Sequence, residues 1–435
     1  MSSGMLRICT AGSVDDGKST LIGRLLYDSR AVYEDQLHSI QRASKNRSAG
    51  AIDFSLFTDG LRAEREQGIT IDVAYRYFAT ARRKFILADT PGHEQYTRNM
   101  ATGASTADVA ILLVDARHGV RPQSRRHAQI ARLLGIKDYV VAVNKMDLVD
   151  FDRSVFDTIV DEFDQILAGA KLHPIPISAL HGDNVIAHSD RTPWFDGQPL
   201  LEFLETVEVE RDAATRPFRF PVQLVLRPTH EFRGYAGQIL SGSVRRGDVV
   251  STWPSGRASR VRQIVTFDGD LDVARAGQSV TLTLEDEIDI SRGDMITVGD
   301  VNVAQYFRAD VVWMDERPLD PARVYVLKHT TRTVTAELDR ALSLNQIGSV
   351  RITTARPVMI DCYVENRGTG SFVIVDPATN FTAGAGMIAE VLRDTPGAAS
   401  AKSSAAQRLA RLAREAGSDA EAVEAVRKAL EDLLS

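Results

Sequence analysis

The feature that most constrains this chain is a glycine-rich run, Gly12 to Ser19, with a strand-like stretch before it and a helix-like stretch after it. The run reads GSVDDGKS and matches the phosphate-binding pattern G-x-x-x-x-G-K-[ST]. Leu6 to Cys9 reads as the strand and Leu21 to Leu26 as the helix, which is the context that this motif requires. Its glycines allow successive N–H groups to face phosphate oxygens at the positive end of the helix. We therefore predict a nucleotide-binding α/β sheet.

Other motifs follow this loop in the order that a guanine-nucleotide switch requires. Each one alone is more often only a turn or a helix cap. Two of them end apolar runs, and the carboxyl ends of parallel strands meet at one edge of a sheet, where such sites form. The ordered set therefore predicts one composite site. Its members are Thr70, Asp89-Thr-Pro-Gly-His93, Asn144-Lys-Met-Asp147 and Ser178-Ala-Leu180.

The phosphate and metal chemistry is predicted from four of these residues. Lys18 is expected to reach the β and γ phosphates as a positive charge. The hydroxyl of Ser19 and the carboxylate of Asp89 are expected to hold Mg²⁺, which prefers oxygen ligands. Gly92 is placed to offer its N–H to the γ phosphate, so the loss of that phosphate would release the loop.

Base choice is predicted from Asp147. Its carboxylate supplies two acceptor oxygens for the N1–H and N2–H₂ groups of guanine, and adenine lacks that pair of donors. The sequence therefore predicts GTP and GDP as ligands and not ATP. The other residues predicted to line the nucleotide site are Gly12, Ser13, Val14, Asp15, Asp16, Gly17, Thr20, Asn144, Lys145, Ser178, Ala179 and Leu180.

Composition is consistent with a cytoplasmic enzyme. The 435 residues carry a formal net charge of −6, so no basic field indicates nucleic acid as the main partner. The two cysteines, Cys9 and Cys362, lie in strand-like runs, which favours buried thiols in a reducing compartment. The sequence has no run of 18 apolar residues and does not begin with a charged region followed by an apolar stretch.

The pattern along the chain predicts an α/β P-loop GTPase domain with a doubly wound, mostly parallel sheet, followed by two β-barrel domains and a short helical C-terminal tail. The long connection from Asp28 to Thr70 is expected to be a lid or a switch. The apolar stripe of the last helix faces either its own protein or another subunit. The predicted domains are 1–212 for GTP binding, 213–300 and 301–395 for the barrels, and 396–435 for the linker and tail.

The sheet followed by two barrels resembles the translation-factor family of GTPases. Within it, the chain is similar to the large, GTPase subunits of bacterial sulfate adenylyltransferases as far as about Asp394. Elongation factors usually carry His where this chain has Asp16, and they lack the segment Glu365 to Phe372. The other segments that carry the resemblance are Gly12 to Leu26, Asp59 to Tyr75 and Asp115 to Val120.

The resemblance implies that GTP hydrolysis drives the uphill formation of adenylyl sulfate and pyrophosphate from ATP and sulfate. That reaction would occur on a smaller, ATP-pyrophosphatase-like catalytic subunit, in a heterodimer or higher assembly. In this comparison Thr70 is a Mg²⁺ ligand that senses the γ phosphate, and His93 positions the attacking water. Val14 and Ile69 form an apolar gate that holds His93 away, and Asp15 binds a monovalent cation or orders the loop.

A further expectation concerns the phosphorylation of adenylyl sulfate. No second phosphate-binding pattern follows Gly386, so phosphorylation of adenylyl sulfate is expected on another chain.

The alternative function is a translation-type factor that binds RNA in its GTP state. Such a factor needs basic or aromatic surface on the barrels. The basic runs at Arg245 and from Arg257 to Arg262 are more typical of solvated faces, so neither nucleic acid nor membrane is expected as a partner.

Overall fold

The computed structural model describes residues 4–29, 54, 72–209, 212–229 and 232–392. Thr70, Ile69, almost all of the connection from Asp28 to Thr70, and the tail 396–435 lie outside the described residues. The predictions made for them stay predictions.

The first domain is built on a six-stranded sheet. Its strand order is β2-β3-β1-β4-β5-β6, and only β2 runs antiparallel to its neighbour. Every residue of β4 and β5 is buried, as expected for parallel strands covered on both faces. This confirms the predicted mostly parallel sheet. The strands are β1 (Leu6–Ala11), β2 (Ala74–Ala79), β3 (Lys84–Asp89), β4 (Val109–Asp115), β5 (Asp138–Asn144) and β6 (Lys171–Pro176).

Helices cover both faces of this sheet. One apolar cluster joins Met100, Ile130 and Phe163, from three successive helices, to one face. A second cluster joins Leu25 and Leu204 to the other face. The helices are α1 (Lys18–Asp28), α2 (Thr97–Ser105), α3 (Pro122–Leu133), α4 (Arg153–Ile166) and α5 (Leu200–Thr206). Across the described ranges, no helix combines the length and the apolar character needed to cross a membrane.

The second domain is a β-barrel. Six strands follow one another as β10-β15-β7-β8-β14-β11, and pairing between β10 and β11 closes the ring. Its interior includes Phe220, Val250 and Leu282, each fully buried. The strands are β7 (Arg219–Leu226), β8 (Gly234–Gln238), β9 (Ser243–Arg245), β10 (Val249–Trp253), β11 (Arg257–Thr266), β12 (Gly269–Leu271), β13 (Val273–Arg275), β14 (Ser279–Leu284) and β15 (Met295–Thr297).

The third domain is a closed six-stranded barrel, with the order β16-β19-β18-β17-β20-β21. Phe307 and Trp313 from β16 fill its interior together with Tyr325. The two predicted barrels are therefore confirmed. The strands are β16 (Asn302–Trp313), β17 (Tyr325–His329), β18 (Arg332–Leu338), β19 (Ile347–Ile360), β20 (Ser371–Val375) and β21 (Thr382–Val391).

The loop between β19 and β20, residues 361–370, joins the second barrel to the nucleotide-binding domain. The hydroxyl of Tyr363 donates to the carbonyl of Leu134 at 2.9 Å. The guanidinium of Arg367 donates to the carbonyl of Gly135. Both acceptors lie just after α3, so the end of that helix rests on the second barrel.

The same loop also holds the first barrel. Asn366 donates from its amide to the hydroxyl of Ser241 at 2.8 Å. Arg219, at the start of β7, makes two bonds to the carboxylate of Asp361, at 2.9 and 3.0 Å. Thr369 donates to that carboxylate at 2.5 Å. The segment that the sequence distinguished from elongation factors therefore lies where three domains meet.

The cysteine prediction is half correct. Cys9 is buried in β1, and this burial raises the pKa of its thiol to about 12. Cys362 was expected in a buried strand, and this is wrong. The strand ends at Ile360, and the chain turns into the joining loop, which leaves Cys362 partly exposed.

Candidate nucleotide-binding site

The glycine-rich loop connects the end of β1 to the start of α1, as predicted. Gly17 precedes the first helical residue and has φ of 93°, a left-handed conformation that favours glycine. A side chain there would also collide with the amide nitrogen of Asn144. Glycine is therefore required at this position by both the backbone and the space around it. Ser19 and Thr20 lie in the first turn of α1.

Lys18 lies buried beneath the loop. Its ammonium donates to the carbonyls of Gly12 at 2.8 Å and Ser13 at 2.9 Å. Burial lowers the pKa of Lys18, and the negative charge of Asp89 opposes this. A side chain on Gly92 would collide with the ammonium, so the loop after β3 lies directly against Lys18. The positive charge and the N–H of Gly92 are thus brought to one place.

Asp16 braces the loop from inside. Its carboxylate accepts the N–H of Ser13 at 2.6 Å, and its carbonyl accepts the amide of Asn144 at 2.8 Å. The residue is only 2% exposed. Burial raises the pKa of Asp16, and the charge of Lys18 opposes this. The sequence marked Asp16 only as a departure from elongation factors, and its bracing role depends on the fold.

The oxygen donors predicted for Mg²⁺ come from neighbouring elements. Asp89 is the last residue of β3 and pairs in register with Thr10 of β1. The Thr10 hydroxyl lies 3.4 Å from the Asp89 carboxylate. Ser19 follows Lys18 in α1. A carboxylate and a hydroxyl beside a phosphate-binding loop are hard oxygen donors of the kind that Mg²⁺ prefers, so these residues fit the ion.

A cavity of about 370 Å³ adjoins the loop on the side of His93. His93 is exposed, and its Nδ1 accepts the N–H of Gln95 at 3.4 Å. Val14 shares the cavity with His93, which places one half of the predicted gate beside the histidine. The remaining lining residues are Ser13, Gly92, Arg121, which immediately precedes α3, and Pro122, Gln123 and Arg126 within α3.

The loops after β5 and β6 are tied to the phosphate-binding loop. Asn144 bonds the carbonyl of Asp16 and accepts the N–H of Ala179 at 2.9 Å. Lys145 donates to the carbonyl of Asp15 at 2.5 Å. Asn144, the last residue of β5, and Lys145, which follows it, therefore act as structural bridges between three loops.

Asp115, the last residue of β4, anchors Lys145. Its carboxylate lies 2.9 Å from the Lys145 ammonium and accepts two bonds from the Arg117 guanidinium, at 3.0 and 2.7 Å. Burial alone would raise the pKa of Asp115, but these hydrogen bonds hold it well below its usual range. The sequence analysis named Asp115 only as part of the segment from Asp115 to Val120 that carries the family resemblance, and it assigned no role to the residue.

The predicted base-binding residues lie at the same edge of the sheet. The side chain of Asp147 is 14% exposed, and its carboxylate lies 3.7 Å from Nε2 of His181. The backbone N–H of His181 donates to the hydroxyl of Ser178 at 3.3 Å. Leu180, which precedes His181 in the sequence, is exposed. The structure thus adds His181, which the sequence analysis missed because no motif extends beyond Leu180.

Comparison with protein families agrees with this architecture. The family model described as the elongation factor Tu GTP-binding domain matches residues 3–210. The model described as the GTP-eEF1A C-terminal domain-like family matches residues 337–389, within the second barrel. The chain is thus similar to translation-factor GTPases at both ends of the described structure.

Similarity to individual proteins is more specific. The chain is 54% identical over 411 residues to sulfate adenylyltransferase subunit 1 of Tolumonas auensis, covering 89% of this chain and 87% of that protein. It is also 54% identical over 407 residues to the protein of that name from Bacteroides fragilis, covering 88% and 86%. A bifunctional enzyme NodQ from a Rhizobium species is 54% identical over 412 residues, which cover 89% of this chain and 65% of NodQ. The chain therefore belongs to the family of sulfate adenylyltransferase subunit 1, within the translation-factor superfamily of GTPases.

Proposed function

We propose that this chain is the GTPase subunit of a sulfate adenylyltransferase. In this proposal, GTP hydrolysis drives the formation of adenylyl sulfate and pyrophosphate from ATP and sulfate on a partner chain, in sulfate assimilation. The observation that carries it is the bridging of three nucleotide loops by Asn144 and Lys145 in a chain of this family. The names of the relatives favour this function over an RNA-binding translation factor.

The nucleotide would bind across the carboxyl edge of the sheet. The loop from Gly12 to Ser19 and the ammonium of Lys18 would bind the phosphates, and Asp147 would accept the N1–H and N2–H₂ groups of guanine. Lys18 bonds two loop carbonyls in this structure. An ammonium carries three N–H donors, so the third can bind a phosphate oxygen while both of those bonds are kept.

Mg²⁺ fits beside the phosphates. Ser19 and Asp89 would hold it together with Thr70, and the bound ion would neutralise charge that develops between the β and γ phosphates. Lys18 contributes the second positive charge at this point. Asp89 is 1% exposed, and this burial would strengthen its electrostatic interaction with both cations.

His93 would orient the attacking water. The histidine lies at the wall of the cavity that adjoins Ser13 and Val14, next to Gly92 at the phosphate loop. We propose that Val14 and Ile69 keep His93 from the water until the partner rearranges the loop. Orientation of water at a γ phosphate is the main task of such a group, because little covalent chemistry is required of the protein.

The partner in this proposal is a smaller, ATP-pyrophosphatase-like catalytic subunit, in a heterodimer or higher assembly. We assign nucleotide binding to residues 1–212 and the two barrels to residues 213–300 and 301–395. Phosphorylation of adenylyl sulfate by another chain stays a prediction.

Replacement of Lys18 tests the proposal. Purified with its partner, the native chain should hydrolyse GTP and let adenylyl sulfate accumulate beyond the level that ATP and sulfate reach unaided. Lys18→Ala should still assemble but leave adenylyl sulfate at that low level, because coupling requires the GTP and GDP states to bias the partner site. Adenylyl sulfate is measured by chromatography with and without GTP.

The matched control is Lys171→Ala, which removes an exposed lysine at the first residue of β6, away from the strand ends that bear the loops. It should leave both reactions unchanged. Accumulation of adenylyl sulfate that survives Lys18→Ala, or the omission of GTP, would contradict the proposed function.

A further inference from the structure

Arg24, on α1, contacts the loop that follows β6. Its Nε donates to the carbonyl of Ala179 at 3.2 Å, and its second terminal nitrogen donates to the carbonyl of Leu180. The Arg24 side chain is only 16% exposed. One planar guanidinium thus binds two successive carbonyls, which suits the fixed fork of arginine and not the single ammonium of lysine.

The guanidinium is also held from its other side. Its central carbon lies 4.2 Å from the ring centre of Phe54, a distance typical of a cation–π contact. Its remaining terminal nitrogen lies 3.8 Å from the carboxylate of Asp28, one turn along α1. Arg24 therefore has little freedom to leave the two carbonyls.

This arrangement determines where the neighbouring N–H points. A trans peptide is planar, and its C=O and N–H point in opposite directions. Because Arg24 binds the carbonyl of Ala179, the N–H of Leu180 in the same peptide must point away from α1. Within the part of the chain that the structure describes, no backbone or side-chain acceptor is bonded to that N–H. The preceding N–H, of Ala179, is taken by Asn144.

We propose that Arg24 is a positioning residue for base recognition, which holds the Leu180 N–H toward the O6 atom of guanine. This inference rests on the proposed guanine site at Asp147 and extends it to O6, the acceptor next to N1–H on the base. Asp147 reads N1–H and N2–H₂, and the Leu180 N–H reads the 6-oxo acceptor. Arg24 does not touch the nucleotide and acts by binding the carbonyls of the loop.

The test compares three diphosphates on the full chain by calorimetry: GDP, 6-thio-GDP and IDP. Sulfur is a poorer hydrogen-bond acceptor than oxygen, so the preference for GDP over 6-thio-GDP reports the contact with O6. IDP lacks the 2-amino group, so the preference for GDP over IDP reports Asp147. Arg24→Ala should lower the affinity for GDP about three- to tenfold, the range expected for the loss of one neutral hydrogen bond. It should nearly abolish the preference over 6-thio-GDP and leave the preference over IDP unchanged.

Arg24→Lys should give an intermediate preference over 6-thio-GDP, because one ammonium can hold one carbonyl. It also keeps the test decisive if Arg24→Ala does not fold. Arg153→Ala is the matched control, because it removes an exposed arginine that pairs with Asp157 one turn along α4, at 3.4 Å, and it should bind all three nucleotides normally.

Two outcomes separate the inference from the function on which it rests. The positioning role would be overturned if both Arg24 variants bound GDP, 6-thio-GDP and IDP equally more weakly than the native chain does. In that case the preferences for GDP over 6-thio-GDP and over IDP would both be intact. A native chain that shows no preference for GDP over IDP would instead overturn the guanine site at Asp147.

Discussion

At the scale of single residues, the site is organised by polar side chains that bind the protein's own backbone. Asp16 bonds Ser13, Asn144 bonds both Asp16 and Ala179, and Lys145 bonds Asp15. These bonds fix loops whose main chain would present N–H groups to an anion or a base in the proposed site. Preorganised loops lower the conformational cost of binding. In the proposed site, the Asp147 carboxylate then reads the N1–H and N2–H₂ groups of the base.

Asp147→Asn should change the base preference. The substitution replaces one acceptor with a donor that faces the guanine N–H groups, so GTP affinity should fall by about 2 kcal/mol or more. Xanthosine triphosphate, which carries an oxygen at position 2, should then bind better than GTP. Competition binding with both nucleotides measures this, and a variant that still prefers GTP would show that the base is read elsewhere.

At the scale of elements, α3 connects the site to the second barrel. Its first turn lines the cavity that contains His93, and the residues just after its end bind Tyr363 and Arg367 of the second barrel. Its buried face carries His127, whose Nε2 lies 2.8 Å from the Gln123 amide. Burial lowers the pKa of His127 from 6.5 to about 3.

This shift makes stability depend on pH. The unfolded chain takes up a proton on His127 as the pH falls through 6.5, whereas the folded chain does not until about pH 3. Stability contributed by the neutral histidine is therefore present above pH 6.5 and is lost on acidification, by about 2 kcal/mol between pH 6.5 and 5. Denaturant unfolding at both pH values should show a smaller difference in His127→Gln than in the native chain. The exposed control His118→Gln should keep the native difference, and an equal difference in all three proteins would refute the assignment.

At the scale of the whole molecule, three domains meet at residues 361–370. The ion pair of Arg219 and Asp361 joins the barrels there, and both side chains are almost completely buried. Such a pair adds little to the free energy of unfolding compared with apolar side chains packed in its place. The loss of one partner, however, leaves an unpaired buried charge. The joint therefore depends on both residues being present.

Asp361→Ala should destabilise the chain by about 3–5 kcal/mol, because it leaves the Arg219 charge without its carboxylate. Glu390→Ala is the control, since its pair with Arg308 is about half exposed at a similar distance of 2.9 Å and should contribute about 1 kcal/mol or less. Denaturant unfolding gives both values, and limited proteolysis shows whether the barrels separate first. Equal small losses in the two variants would mean that the joint does not depend on the buried pair.

The sequence by itself was sufficient for the features that a short segment encodes. The phosphate-binding loop needs Gly17 for its left-handed turn, and Asp89 and Asn144 end strands whose carboxyl ends meet in any parallel sheet. These are properties of a few consecutive residues and of a general topology. The fold class, and the common location of those motifs that the structure describes, were therefore predictable.

Tertiary structure alone decided the roles of Arg24, Asp115 and the loop of residues 361–370. Arg24 meets Leu180 across 156 positions of sequence, and Arg367 meets Gly135 across 232. No local pattern encodes such a contact, because the side chain finds its partner only when distant elements pack together. The energy of a buried charge depends on the partners that packing places beside it, so these residues acquire their function only in the folded protein.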